Sequence, residues 1–274
     1  MIELVNKKLK VAAIQMVSGP CLQENLEQAA YWIHHAAMQG ADYIALPEYF
    51  CFFGNSTEEK YALVETFGHG EIQKFLSEQA ALYGIYLIGG TLSLASEDPR
   101  RFYNSTLVYD PTGKCIGRYD KIHLFSFHRG SEYFDEAQTI KEGSPQPRVI
   151  ETPDLRIGLA ICYDIRFPEL FRAMGAVDLL VLPAAFTYTT GQAHWDILLK
   201  ARAIENQCYV LAPAQGGVHK NGRQTWGHSV LIDPWGEQID GLDAGPGVVS
   251  GIIDKKRLAA VRTDLPALAQ RRLV

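Results

Sequence analysis

The stretch Ile157-Gly-Leu-Ala-Ile161 runs without a break into Cys162-Tyr-Asp-Ile-Arg-Phe-Pro-Glu-Leu170, and its reading decides the fold class. A short apolar run bounded by polar residues is a buried-strand signal. Pro168 suits the first turn of a helix, where its fixed φ and missing N–H cost little. Strand, turn and helix in this order form a βα unit, and they set Cys162 on the elbow between the two elements. Backbone N–H groups near a helix start favour negative charge, so the placement predicts a lowered thiol pKa and donors for an oxyanion. The competing reading is a plain buried cysteine, a common state for a free thiol.

The same alternation extends in both directions. Strand-like runs at 9–16, 43–46, 85–89, 105–109, 157–161, 179–182, 209–212, 229–232 and 248–253 are interleaved with helix-like stretches at 22–38, 71–83, 168–174 and 192–206. The clearest helix places Leu22, Leu26, Ala29, Ile33 and Ala37 on one face. The chain is therefore α/β, with hairpin turns at Asp110-Pro-Thr-Gly113 and Asp233-Pro-Trp-Gly236. Those turns are one sign of an internal repeat. Another is the pair Gly40-Ala-Asp-Tyr-Ile-Ala-Leu-Pro47 and Gly175-Ala-Val-Asp-Leu-Leu-Val-Leu-Pro183, with Phe50 and Phe186 at matching offsets. If the halves are related, each supplies a sheet and a helical layer, and they pack as a pseudo-two-fold α-β-β-α sandwich; chance similarity of common turn motifs is the alternative. The matched strand ends carry Glu48 in one half and Ala184 in the other, which singles out Glu48.

At 274 residues and 47% hydrophobic content, one domain spanning 1–274 is the simplest organisation. A net charge of −5, from 26 basic and 31 acidic residues, comes without a basic stripe interleaved with aromatics, which argues against a nucleic-acid partner. The first ten residues lack the apolar core of a signal peptide and no later run is long enough to span a bilayer, so a cytoplasmic protein without a membrane partner is expected. Cys21, Cys51, Cys115, Cys162 and Cys208 are scattered, with no Cys-x-x-Cys pair, and suggest neither a disulfide framework nor a zinc site.

Glu48 follows an apolar strand and a proline, surroundings that would raise a carboxylate toward general-base range. Lys121, in Arg118-Tyr-Asp-Lys-Ile-His-Leu-Phe125, is flanked by apolar and aromatic residues. Singly, these read as a loop acid and a snorkelling lysine. With Cys162 they supply what acyl transfer needs: a nucleophile, a proton acceptor and a cation for an oxyanion.

On Leu46-Pro-Glu48, Tyr119-Asp-Lys-Ile-His-Leu-Phe125 and Ile161-Cys-Tyr-Asp-Ile-Arg-Phe-Pro-Glu169, taken in order, the chain resembles the nitrilase superfamily of carbon–nitrogen hydrolases. The likeness runs from the first strand to near the carboxyl terminus. It implies a Glu48–Lys121–Cys162 triad, a further active-site glutamate at Glu136 in Tyr133-Phe-Asp-Glu-Ala-Gln-Thr-Ile140, with Glu132 and Glu142 as competing alignments, the N–H of Tyr163 as an oxyanion donor, and no cofactor or metal. Segments 186–195, 200–209, Trp226-Gly-His-Ser229 and Asp233-Pro-Trp-Gly236 are similar to the branch holding omega-amidases and deaminated glutathione amidases. That implies a small-molecule amide substrate, a linear primary amide of a small carboxylic or α-keto acid (deaminated glutathione or omega-amide type) split to acid and ammonia through a thioester on Cys162. N-carbamoyl amino acid or nitrile hydrolysis are the alternatives within the superfamily, and a catalytically silent interaction protein is the alternative outside it. The resemblance further implies a homodimer, for which 261–274 is the candidate carboxyl-terminal arm.

Arg166, four residues beyond the nucleophile, is the candidate for binding a substrate carboxylate, since a guanidinium offers a bidentate fork; a structural pair with Asp164 or Glu169 is the competing reading. A papain-like pairing of Cys162 with His123 or His194 would leave Glu48 and Lys121 unexplained. Glu205 reads as a helix acid that buttresses the lysine or the catalytic glutamate, and Trp195 and Trp226 as core or pocket wall.

Overall fold

The protein, here a computed structural model, is described for residues 8–56, 58–130 and 132–273. Most of the amino-terminal segment read for a signal peptide (1–7) and the last residue of the candidate arm, Val274, lie outside them. In one sheet the strand order is β17 (Gly247–Ile253), β1 (Leu9–Gln15), β2 (Tyr43–Ala45), β3 (Tyr86–Ile88), β5 (Phe102–Tyr109) and β6 (Cys115–Asp120), with β4 (Leu92–Ala95) also paired to β5. In the other it is β9 (Arg148–Glu151), β10 (Arg156–Leu159), β11 (Leu179–Val181), β12 (Tyr209–Ala212), β15 (Val230–Ile232) and β16 (Gln238–Gly241). Read in this order, both sheets have the same pairings: antiparallel, parallel, parallel, antiparallel, antiparallel. The crossovers match as well. Helices α1 (Leu22–Met38) and α2 (Glu71–Tyr83) link the parallel strands of the first sheet, and α3 (Pro168–Ala173) and α4 (Tyr188–Asn206) link those of the second. The repeat suggested by the Leu-Pro and Asp-Pro-x-Gly motifs is thus a repeat of topology.

Side-chain alternation builds the layers. Leu9, Val11 and Ala13 of β1 point into the core shared with the second sheet, whereas Ala12 and Ile14 face Leu26, Ala29 and Ile33 of α1 and Leu76 of α2. Alternating burial on both faces of a sheet produces the four-layer α-β-β-α sandwich. The repeated aspartate has the same duty in each half. Asp42 accepts the N–H of Lys10 at 2.8 Å and Asp178 that of Arg156 at 2.9 Å, each locking the start of the neighbouring strand. Gly40 and Gly175 stand just before them at φ 84° and 69°, a left-handed conformation that glycine adopts at no steric cost.

Some elements differ from expectation. Helix α4 begins at Tyr188 because the Thr187 hydroxyl caps it, accepting from the N–H of Thr190. Hairpins β7–β8 (Ser126–Arg129, Glu132–Asp135) and β13–β14 (Gly216–Val218, Gln224–Trp226) carry little apolar alternation and escape sequence reading. Helix α5 (Lys255–Asp264) is strongly polar, buries only Leu258 and Val261, and is capped by Asp254. Residues 261–264 of the candidate arm therefore belong to α5, with Val261 covered by its own chain, and the tail beyond the helix starts at Leu265, with a turn over 267–270. No helix among the described residues is long and apolar enough to cross a membrane.

Candidate functional site

Glu48 and Cys162 follow the carboxyl ends of parallel strands, β2 in the first sheet and β10 in the second, the place where α/β sheets present their reactive groups. Cys162 donates its N–H to Pro183 O at 2.9 Å and adopts φ 47°. A non-glycine residue rarely holds this conformation unless its surroundings impose it. Here they do. Fully buried Asp164 accepts hydrogen bonds from Ile161 N at 2.9 Å, Tyr119 OH at 2.8 Å, His123 N at 3.0 Å and His123 Nδ1 at 2.7 Å. Arg202 Nε donates to Ile165 O at 2.8 Å. The elbow expected from sequence is thus a short 3-10 turn, Cys162–Arg166, before α3. Tyr163, second in this turn, has an N–H of the kind that lacks an intrahelical partner.

Lys121 follows β6 and is tied down by its own backbone, its N–H on Asn104 O and its carbonyl on Gly143 N–H, both at 2.9 Å. Its side chain and that of Glu48 are each 1% exposed. The ammonium lies 3.0 Å from Glu48 Oε1, and 3.1 and 2.8 Å from the two oxygens of Glu136. Asn104 Nδ2 donates to Glu48 Oε1 at 2.8 Å, Tyr49 OH to Glu136 Oε1 at 2.9 Å, and Phe125 N to Glu136 Oε2 at 2.8 Å. Burial pulls the Lys121 ammonium down, but Glu136 and Glu48 outweigh it and hold its pKa well above the ordinary value. Burial likewise pushes Glu136 up, and Lys121 overcomes it, leaving that carboxyl below its ordinary value. The thiol of Cys162 departs from the lowered pKa expected at a helix start. Burial, reinforced by Glu48, pushes it well above the ordinary value against the opposing pull of Lys121 and the Ala185 N–H. A raised pKa favours the protonated thiol.

Glu48, Glu136, Cys162 and Tyr163 line one cavity of about 240 Å³, walled by aromatic side chains that include Phe125 and Phe134. Lys121 stands behind the two carboxylates, outside that lining. The Carbon-nitrogen hydrolase family profile matches residues 10–263. The chain belongs to that family. It is a hydrolase of carbon–nitrogen bonds, and the likeness read from its motifs holds. A deaminated glutathione amidase from Synechocystis is 40% identical over 273 residues, 97% of this chain and 98% of that protein. An omega-amidase from Xenopus tropicalis is 40% identical over 271 residues, 97% of this chain and 95% of that protein. The crystal structure of the C. elegans NitFhit protein superposes with a TM-score of 0.87 at 36% identity, covering 97% of this chain and 65% of that longer one.

Within this carbon-nitrogen hydrolase, the other residues singled out from sequence lie as follows. Arg166 is absent from the cavity lining; its guanidinium packs on the rings of Tyr163 and Phe186 and meets His194 Nδ1 at 3.2 Å. It pairs with neither Asp164, which is saturated by other donors, nor Glu169 among the described contacts. The Cys–His reading fails because His123 is committed to Asp164 and stacks on Phe167, while His194 holds Arg166. Glu205 bonds Arg202 Nη1 at 2.6 Å and so steadies the Cys162 turn from beneath, at a distance from Lys121 and Glu48. Trp195 is core, its indole N–H on His228 O. Asn104, Tyr49, Lys60 and Arg223 are part of the site or its walls and were not singled out from sequence. Tyr49 borders Glu48 in the chain, and a buried Asn in a strand is a detectable oddity; Lys60 and Arg223 sit in polar, turn-rich segments that read as solvated surface.

Proposed function

We propose that this chain is a cytoplasmic amidase that cleaves a linear amide of a small carboxylic or α-keto acid through a thioester on Cys162. The observation that carries the reading is the buried Glu48–Lys121–Glu136 ion cluster, whose two carboxylates share one cavity with the thiol of Cys162. Glu48 takes the Sγ proton as sulfur attacks the amide carbonyl. Lys121 and the Tyr163 N–H stabilise the resulting oxyanion. Collapse breaks the C–N bond, and the proton on Glu48 leaves with the amine. Glu48 then takes a proton from water, hydroxide adds to the thioester carbonyl, and the carboxylic acid departs as the proton returns to sulfur. Glu136 positions the substrate.

The two activities named for the relatives share an acyl group and differ in the leaving group. Glutathione is γ-glutamylcysteinylglycine, so the scissile amide of its deaminated form joins a 2-oxoglutaryl group to cysteinylglycine. The terminal amide of 2-oxoglutaramate joins the same group to ammonia. Ammonia is therefore the product of omega-amides alone, and the common readout is 2-oxoglutarate. Assayed on deaminated glutathione, 2-oxoglutaramate, succinamate, a neutral aliphatic amide, a nitrile and an N-carbamoyl amino acid, the protein is expected to favour the first three. Turnover of the nitrile alone would remove the amidase reading; a preference for the carbamoyl compound would keep the triad and change the branch.

The reading includes a homodimer that uses the tail from Leu265, where Leu265 is 46% and Leu273 is 87% exposed. Light scattering should report twice the chain mass, and a fully active monomer would refute it.

A further inference from the structure

We propose that Lys60 and Arg223 form a carboxylate subsite of the cavity, which selects amides carrying a second, anionic end. The inference deepens the amidase reading and rests on it for the reaction, though not for binding. Both residues line the cavity that contains Cys162. Neither has a carboxylate within ion-pair distance among the described residues, in contrast to Lys121, whose charge is matched twice over. Aromatic faces hold them instead. Lys60 Nζ lies 3.6 Å from the centroid of Tyr49, the ring whose hydroxyl bonds Glu136, and Arg223 Cζ lies 4.8 and 5.1 Å from Phe53 and Phe134. Cation–π packing orients a cation without consuming its hydrogen-bond donors, so both remain available to a bound anion. Asp135, the remaining acid on the lining, is turned to its own loop, accepting from Ala137 N and Gln138 Nε2.

The pair also borders a second, smaller cavity of about 60 Å³, walled by Phe53 and residues 54–56. Lys60 and Arg223 thus border both the reactive cavity and the space beside it, which fits a substrate held by its acid end. Arg166, the residue expected in this role, lies outside both cavities.

Burial lowers the Lys60 pKa to about 8, with Arg223 and Lys121 acting in the same direction and Glu136 and Glu48 opposing. The ammonium is charged below that pH and neutral above it, so preference for an anionic substrate should decline as pH rises through about 8.

The test compares kcat/KM for succinamate with that for butanamide, of similar length and uncharged at the far end. In Lys60→Met and in Arg223→Met the ratio of the two should fall roughly tenfold to a hundredfold, the scale of a lost charge-assisted contact. Lys60→Arg should keep most of the preference and hold it above pH 8. A parallel measurement, calorimetric binding of 2-oxoglutarate to Cys162→Ala with and without each substitution, does not depend on turnover. Weakened binding in these variants, together with a wild type that hydrolyses no amide, would uphold the subsite and reject the amidase reading. An unchanged ratio or unchanged 2-oxoglutarate affinity in both methionine variants, or loss of preference in Arg166→Ala alone, would overturn the subsite.

Discussion

Cys162→Ala is expected to lower amide hydrolysis by roughly 10⁴-fold or more while leaving a folded protein. The substitution removes Sγ and little else. The 3-10 turn is held by hydrogen bonds of Asp164, Tyr119, His123 and Arg202 that do not involve the thiol, so the φ of 47° at position 162 is imposed from outside the side chain. Thermal unfolding and turnover measured on the same preparation separate loss of chemistry from loss of fold. Retained turnover would exclude a thioester, and so, for the mechanism as a whole, would abolition of wild-type activity by a chelator.

Lys121→Met should affect both rate and stability. On the rate side, the cation needed as the oxyanion develops is lost, and kcat should drop ~100-fold or more with a smaller change in KM. On the stability side, removing one partner of a buried ion cluster leaves carboxylates uncompensated, at a cost of about 3–5 kcal/mol. The pH dependence distinguishes this from a simple packing defect. In the wild type, Lys121 holds Glu136 below its ordinary value of 4.5, so that contribution to stability is present above 4.5 and lost as pH falls through the lower folded value. In the variant, only the Phe125 N–H and Lys60 still oppose burial, so the Glu136 carboxyl moves up from its wild-type position and the stability it contributes above that pH shrinks. The deficit of the variant should therefore narrow toward pH 4. An unchanged kcat would make Lys121 purely structural, and a deficit independent of pH would place its effect in packing.

How far the sequence discloses this site follows from which interactions are local. The strand before Cys162, the proline after it and the matched Gly-Ala…Leu-Pro segments are short-range signals, and they locate the elbow, the parallel strands at the centre of both sheets and the residues at their ends. Glu48, Lys121 and Glu136 were placed by motif order, and the fold brings them into contact across separations of 73 and 15 residues. Arg166 shows the limit: four residues past the nucleophile is close along the chain, but the 3-10 turn directs its guanidinium to the outer side of Tyr163 and Phe186. Lys60 and Arg223 show the converse. Nothing near either marks it as part of a cavity, because the aromatic partners that orient them, Tyr49, Phe53 and Phe134, arrive from other segments. Helix α5 lacked an apolar stripe and was hidden for the same reason that it is stable: a cap and two buried side chains suffice.

The ammonium of Lys121 has three hydrogens and, at rest, three carboxylate oxygens within bonding distance. A fully subscribed cation has no donor left for a stray anion, so chloride or phosphate gains little at Lys121 itself, and an anion drawn into the cavity meets Lys60 and Arg223 instead. In the mechanism proposed above, an oxyanion reaches that charge by exchange, displacing one of the oxygens of Glu136, which keeps Tyr49 OH and Phe125 N–H as its remaining donors. Turnover thus acts as a key: only a carbonyl already bonded to sulfur develops enough charge to open the closed circuit.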